Sequence, residues 1–348
     1  MTQMFRSLDR PATRTIEYQG QAYLFFGGTA YLGLNMHPGF HELYRTGLSR
    51  YGLNVGTSRS NNVQLGIYEE AEYTAAERFG SGAALLLSSG FLAAQLAVSC
   101  LGREMPLIYS PDTHPALWKD HVQPPASDRG FNDWAAETVA GINRASEGRF
   151  VVVSNTVDNL NVAVHDFSGF AGVDRGKEVY FILDDSHGIG VLPGSYTIPD
   201  RPDFHTVVVA SLAKGMGIDA GLVLAESGVI ETLRSSGIYL GASPPSPASL
   251  YAFIHGQEIY ARQRALLQAN VAFFQQGITV ECQRVAGYPV VCFKQEGLYE
   301  AALEKGIVIS SFPYPLPSSP LLNRVVLSSL HTQEDITRLL EIINLLAI

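Results

Sequence analysis

Apolar residues along this chain fall into short unbroken runs that take turns with longer periodic stretches. The runs at 83–87, 106–110, 150–154, 178–183, 206–210 and 221–225 are rich in Val, Ile, Leu, Tyr and Phe and are bounded by polar or turn residues. Such runs suit strands covered on both faces, as in a parallel sheet held between helices. Helical spacing of apolar positions marks 40–51, 67–79, 91–101, 228–236 and one long helix over 248–276. Gly80 stands just past the second of these, in the preferred helix-stopping position. The stretch 15–26 reads as a hairpin turning at Gln19-Gly20. After residue 276 the order is strand 290–294, helix 298–305, strands 308–311 and 324–329, and a closing helix from Thr332. Thr332 and Asp335 have capping-box spacing, and Ile336, Leu339, Leu340 and Ile343 share the apolar face of that helix. The pattern predicts an α/β protein: an N-terminal arm or hairpin (1–29), a large domain with a mostly parallel sheet (30–241) and a smaller α/β domain (242–348).

The uncharged stretch 83–101 is long enough to be weighed as a membrane helix. Ser88-Ser89-Gly90 divides it into strand and helix, and Gln95 would sit at mid-membrane, so it is read as strand, turn and helix. A chain of 348 residues with 46% hydrophobic residues can bury a substantial core. The formal net charge of −9 and the lack of Lys/Arg runs argue against nucleic acid as a partner. Cys100, Cys282 and Cys292 form no disulfide-type pattern, and the N-terminus has no signal-peptide stretch, so free thiols and a cytoplasmic location are expected.

Two apolar runs end in chemistry. The run 178–183 leads into Asp184-Asp185-Ser186-His187-Gly188, and 206–210 into Ser211-Leu212-Ala213-Lys214-Gly215. Ligands in open α/β sheets sit beyond the carboxyl ends of strands, so Asp184, His187 and Lys214 are expected to converge. A lysine amine that holds an aldehyde and a carboxylate that keeps a pyridine nitrogen protonated are the groups pyridoxal 5'-phosphate chemistry needs. Taken singly, the acidic pair reads equally as a solvated strand end and Lys214 as a surface lysine.

The motifs Asp184-Asp185-Ser186-His187-Gly188-Ile189-Gly190 and Ser211-x-x-Lys214-Gly215, with Tyr31-Leu32-Gly33-Leu34 upstream, resemble those of the α-oxoamine synthase family of fold-type I pyridoxal-phosphate enzymes. The resemblance runs from about residue 30 to the C-terminus in matching order. It implies the three-layer, aspartate aminotransferase-like fold, a Schiff base on Lys214, Asp184 at the pyridine nitrogen and His187 at the ring hydroxyl. It implies His114, in Asp112-Thr113-His114-Pro115, over the ring face. It implies a phosphate site at Ser89, Gly90 and Phe91, a junction that taken alone is also an ordinary glycine turn, with Asn159, Ser211 and Ser243 as further cofactor contacts. Arg324, placed at the start of an apolar strand, would hold the substrate carboxylate. The partners implied are an amino acid and an acyl-CoA, in a homodimer whose active site lies at the subunit interface, with no metal and no membrane.

The chain departs from the family pattern at Thr29, where Asn is usual, at Asn155 and Asn159, where Glu and Ser are usual, and at Gly241, where Thr is usual. The Pro-rich stretch 312–320 is expected to line the mouth of the site. These departures leave room for an aminotransferase, or for a homologue that binds the cofactor without turnover. A metal-dependent hydrolase built on Asp184, Asp185, His187, His114 and His205 would leave Lys214 without a role.

Overall fold

The computed structural model describes residues 5, 7–125, 129–159, 161–192, 194–313 and 321–345. Strands β1 (Thr15–Tyr18) and β2 (Gln21–Phe26) precede helices α1 (Pro38–Tyr51) and α2 (Ile67–Phe79). Then come β3 (Ala83–Leu87), α3 (Gly90–Leu101), β4 (Leu107–Tyr109), α4 (Phe131–Arg144) and β5 (Arg149–Asn155). A small ribbon, β6 (Val157–Asp158) and β7 (Ala163–Val164), leads to β8 (Glu178–Asp184), β9 (Phe204–Ser211) and β10 (Gly221–Ala225). Helices α5 (Ser227–Arg234), α6 (Gly237–Gly241), α7 (Pro247–His255) and α8 (Gln257–Gly277) come next. The chain closes with β11 (Gln283–Arg284), β12 (Val290–Phe293), α9 (Leu298–Glu304), β13 (Ile307–Pro313), β14 (Leu321–Val326) and α10 (Gln333–Leu345).

The larger sheet has the order β3-β10-β9-β8-β5-β4. Strands β4, β5, β8 and β9 run parallel, and β10 is antiparallel to both its neighbours. Alternate residues serve opposite faces. Leu85, Leu87, Val151, Val153, Val207 and Val209 pack with α3 and α5, while Leu86, Val208 and Ala210 pack on the other side with α2 and α8. Both faces being dry, the strands read as continuous apolar runs, and the three layers result.

The second sheet has the order β1-β2-β13-β14-β12-β11 and joins the two ends of the chain. The N-terminal hairpin turns at Gln19 (φ 50°) and Gly20 (φ 77°), two successive left-handed residues that match the twist of the paired strands. Strand β2 lies parallel to β13, with Leu24 opposite Ile307, so the segment read as an arm is one edge of the C-terminal sheet. Arg14 fastens it by a two-pronged bond to Asp335, at 2.6 and 2.8 Å. Asp335 also accepts from Thr332 N and donates its own N–H to the Thr332 hydroxyl, the capping box of α10.

Three sequence expectations are corrected. The helix over 248–276 is two helices, broken at Gly256, whose bare Cα lies against the Ala252 carbonyl and the Phe40 and Tyr260 rings; a Cβ there would come within 2.7 Å of that carbonyl. The apolar period continues through the break and so does not reveal it. Arg324 does not open its strand but sits inside β14, opposite Cys292 and Ser310, because Leu321 and Leu322 already pair with β13. Phe312 and Pro313 belong to β13, and 314–320, the rest of the stretch expected at the mouth of the site, lie outside the described residues.

Candidate active site

The carboxyl ends of β5, β8 and β9 meet along one edge, with Asn155 level with Asp184 and Asp184 level with Val209. Because β10 runs the other way, its first residue, Gly221, pairs with both Ser211 and Leu87. That brings the turn after β3 beside the turn after β9. Asp184, His187, Lys214, His114 and Asn159 line one pocket, together with Asp112, Asn155 and Asp158.

Lys214 lies over His187, Nζ to Nε2 3.0 Å. With the amine in that place the pocket keeps only about 20 Å³ free. The other ring nitrogen of His187, Nδ1, is 2.7 Å from the hydroxyl of Tyr31, a buried residue of the 30–34 segment. Burial lowers the Lys214 amine below the ordinary lysine range; Asp184 opposes this and Arg324 adds to it. Burial, reinforced by Lys214, Arg324 and His114, holds His187 well below the usual imidazole range, so it is neutral.

The two adjacent carboxylates part company. Asp184 faces the pocket and takes the backbone N–H of Ser186 on Oδ1 at 2.9 Å. Asp185 is buried on another side, where Oδ1 accepts from the Thr156 hydroxyl at 2.5 Å and the group borders a separate cavity of about 480 Å³. Burial pushes the Asp185 carboxyl up to about 7, against the hydrogen bond from Thr156. Gly188 has to be glycine here, since a Cβ would fall 2.2 Å from Asp185 Oδ1.

Asn155 explains one departure from the family pattern. Its Oδ1 accepts from His114 N at 3.2 Å and its Nδ2 donates to Asp112 O at 2.9 Å. A carboxylate could make only the first of these bonds. The amide therefore clips the loop carrying His114 onto the end of β5, with Asp112 held at φ 56°. His114 Nδ1 in turn accepts from Ala116 N at 3.1 Å, which fixes the ring orientation.

Ser89 caps α3, accepting from Leu92 N at 3.2 Å. The junction is pressed onto the neighbouring strands: a Cβ on Gly90 would lie 2.7 Å from Ser211 Cα, and one on Gly221 would lie 1.9 Å from Ser89 O. Ser211 N donates to Ser186 Oγ at 2.8 Å, which ties the lysine loop to the Asp184 loop. A helix start with free backbone N–H groups, packed against the strand end that leads to Lys214, is a ready anion cradle.

Arg324 approaches from the second sheet. Its Nε is buried without a hydrogen-bond partner, and its guanidinium stands 5.5 Å over the Phe312 ring. Its positive field reaches Lys214, His187, Tyr31 and Tyr288. Two expected contacts lie elsewhere in this chain. Phe91 is half exposed and stacks on His121, centroids 5.7 Å apart. Ser243 is exposed, just beyond a segment that pairs with the 58–60 loop through Arg59 N to Ala242 O and Ser60 N to Leu240 O. Arg59, Glu72, Arg234 and Tyr239 bind one another beneath that pairing. Among the described residues no three His, Cys, Asp or Glu side chains are grouped to hold a metal ion.

Sequence reasoning did not assign Tyr31, Tyr288 or Asp158 to the site. Tyr31 stands in the Tyr31-Leu32-Gly33-Leu34 motif and could have been found there; Tyr288 arrives from a loop of the second sheet and donates to Asn159 Oδ1 at 2.6 Å, with no local signal.

No family model matches the chain. It is 27% identical over 345 residues to the 8-amino-7-oxononanoate synthase of Cronobacter sakazakii, covering 93% of this chain and 89% of the relative. The 8-amino-7-oxononanoate synthase of Pseudomonas paraeruginosa is 27% identical over 351 residues, 92% of this chain and 85% of the relative. Among solved structures, Sphingomonas wittichii serine palmitoyltransferase matches with TM-score 0.81 at 17% identity, over 98% of this chain and 91% of its own. The 8-amino-7-oxononanoate synthase of Francisella tularensis matches with TM-score 0.68 at 20% identity, over 92% and 97%. The fold is that of these neighbours.

Proposed function

We propose that this chain, a fold-type I enzyme resembling the α-oxoamine synthases, uses pyridoxal 5'-phosphate to condense an amino acid with an acyl-CoA thioester. The observation that carries the reading is the convergence of a desolvated Lys214, neutral His187 and the Asp184 carboxylate in one pocket. The donor set suits the cofactor. It offers an amine for an aldehyde, a carboxylate for a pyridine nitrogen, an anion cradle at Ser89, Gly90 and Ser211, and a buried Arg324 Nε that lacks an acceptor. A ring needs more than the free volume beside Lys214, so the proposed binding requires Lys214 to leave His187 Nε2.

When bound, the cofactor supplies an aldehyde for amine exchange and a protonated ring that takes up the electrons of a bond breaking at the α-carbon. Asp184 would hold a proton on the ring nitrogen, His114 would cover one face of the ring, and His187 would hydrogen-bond the ring hydroxyl. Arg324 holds the substrate carboxylate in a charge-assisted pair. Lys214, whose lowered pKa leaves more of it as free amine, takes the α-proton. The α-carbon then bonds to the thioester carbonyl carbon, the C–S bond breaks and the sulfur leaves as a thiolate that takes its proton from solvent. The carboxylate departs as carbon dioxide and Lys214 returns a proton to the α-carbon.

The finer assignments are part of the same proposal. The exposed apolar residues Leu53, Val63 and Leu240 flank the paired 58–60 and 240–242 segments, which suits a homodimer in which Ser243 reaches the partner's cofactor. No helix among the described residues is long and apolar enough to cross a membrane. The free Cys100, Cys282 and Cys292 suit a reducing, cytoplasmic location.

The test is an absorption titration of the cofactor-loaded protein with glycine, alanine and serine, then with an acyl-CoA while free thiol is monitored. Spectral change with one amino acid and subsequent thiol release is the expected result. Keto-acid formation without thiol would reassign the chain as an aminotransferase, and a spectrum indifferent to every amino acid would make it a non-catalytic binder. Borohydride reduction should leave the cofactor's mass on the Lys214 peptide and nowhere in Lys214→Ala.

A further inference from the structure

Away from the Lys214 pocket, Glu72 of α2 is the centre of a buried charge cluster. The side chains of Arg59 and Glu72 are 7% and 6% exposed. Glu72 Oε1 accepts from Arg59 Nη2 at 3.0 Å, from the Tyr239 hydroxyl at 3.0 Å and from Leu86 N at 3.3 Å. Its other oxygen, Oε2, accepts from Arg234 Nη1 at 3.0 Å. The Tyr239 oxygen in turn accepts from Arg59 Nε at 2.8 Å. Burial, and then the charge of Glu72, pushes the Tyr239 phenol up to about 12, so at neutral pH it keeps the proton it gives to Glu72. None of Arg59, Glu72, Arg234 and Tyr239 lines the Lys214 pocket.

Two members of the cluster belong to the segments that pair above it. Arg59 lies in the 58–60 segment, and Tyr239 immediately precedes the 240–242 segment. Two backbone hydrogen bonds join these segments, Arg59 N to Ala242 O at 3.2 Å and Ser60 N to Leu240 O at 3.1 Å. Through Leu86 N the same carboxylate is tied to β3, the edge strand of the large sheet. A buried ion cluster adds little net stability, because desolvation of the charges offsets their attraction. Shifting one member, however, strands an unpaired charge in the interior, so the cluster fixes a register that two backbone bonds alone leave loose. Ser243, exposed, is the next residue after the paired segment.

We propose that Glu72, Arg59, Arg234 and Tyr239 are positioning residues that act across the subunit contact. They hold the 58–60 and 240–242 segments in one register, and so place Ser243 at the cofactor of the partner subunit and not at the cofactor of their own chain. The inference rests on the homodimer and the Ser243 contact given under Proposed function.

Mixed dimers test it. Two differently tagged chains are co-expressed and the dimer holding one of each is isolated. One chain carries Lys214→Ala, so borohydride fixes pyridoxal 5'-phosphate only on the Lys214 of the other, and its affinity is read from adduct formed against cofactor concentration. Glu72→Gln turns an amide N–H toward Arg234, and as a homodimer it is expected to bind the cofactor about tenfold more weakly, one hydrogen bond's worth. Paired with the Lys214→Ala chain, the Glu72→Gln chain is expected to regain wild-type affinity. With Glu72→Gln and Lys214→Ala placed on the same chain, the wild-type partner is expected to show the loss instead. Asn155→Asp, a change in the chain's own pocket, is expected to stay weak in the same pairing. Tyr239→Phe, which removes a single oxygen, is expected to follow Glu72→Gln and serves if that variant fails to fold. A loss that mixing does not restore, or no loss in either variant, would overturn the inference while leaving the Lys214 adduct standing. A monomer in light scattering, or unaltered affinity in Ser243→Ala, would overturn the subunit contact given under Proposed function and this inference with it.

Discussion

The two walls of the pocket are built by different rules. Asp184, His187, Ser211 and Lys214 come from two short segments that leave neighbouring parallel strands, held in register by the ladder of the large sheet. Tyr31, Asn159, Tyr288 and Arg324 come from four places spread over almost the whole chain, and they meet only because the second sheet folds onto the first. The first wall carries the groups to which the proposed function gives proton exchange and the hold on the cofactor. The second carries a guanidinium with an unused donor and two buried phenols. The contrast teaches that the amine, imidazole and carboxylate here sit on strand ends, while the guanidinium and phenols beside them are recruited from the second sheet and the segments around it.

Substitutions on the two walls are therefore expected to separate in their kinetics. The largest effect belongs to the first wall. Asp184→Ala is expected to lower kcat by about 10²–10⁴-fold, the range for loss of a positioned acid–base partner, with little change in thermal unfolding. An equal rise in KM with kcat intact would erase the distinction. On the second wall, Arg324→Ala is expected to raise KM for the amino acid by roughly 10–100-fold, as a charge-assisted bond of about 1.5–3 kcal/mol is lost. Cofactor binding, read by absorbance, is expected to persist.

Asp185 sharpens the comparison from behind the first wall, since it sits beside Asp184 in sequence yet serves the core. Its folded pKa of about 7 lies above the roughly 3.9 of an unfolded aspartate. The unfolded chain therefore gives up its proton first, and stability falls as pH rises from about 4 to about 7, then levels off. Asp185→Asn is expected to abolish that fall, gaining on the order of 2–4 kcal/mol at pH 8 and nothing at pH 4, as read by chemical unfolding at the two pH values. The smallest effect is expected at Asn155. Asn155→Asp keeps the bond from His114 N but loses the one to Asp112 O, and cofactor affinity is expected to drop about tenfold, one hydrogen bond's worth. No change in cofactor affinity would show that the amide clip is dispensable.

Much of the first wall was legible in the residues. Strands buried on both faces announce themselves as unbroken apolar runs, and the residues just after each run have to lie at the sheet edge, so Asp184, His187 and Lys214 could be placed together from the sequence. The strand–turn–helix junction at Ser89 and Gly90 was legible for the same reason. The helix break at Gly256 was not, because the apolar period runs straight through it and only the closeness of Phe40 and Tyr260 requires the glycine. Tyr288 carried no local mark at all.

Local order, and with it the chemistry of the pocket, is thus written in the chain: which segments are strands, which residues end them, and that an amine, an imidazole and a carboxylate are delivered to one edge. The tertiary structure alone decided that the N-terminal hairpin would complete the C-terminal sheet, that Asp185 would turn into the core while Asp184 faces the pocket, that Tyr31 would stand behind His187 and that Tyr288 would reach Asn159. The physical reason is range. Periodicity reports which face of an element is dry, whereas the partners of a side chain across a domain contact depend on how two finished sheets pack, and no short stretch of sequence contains that.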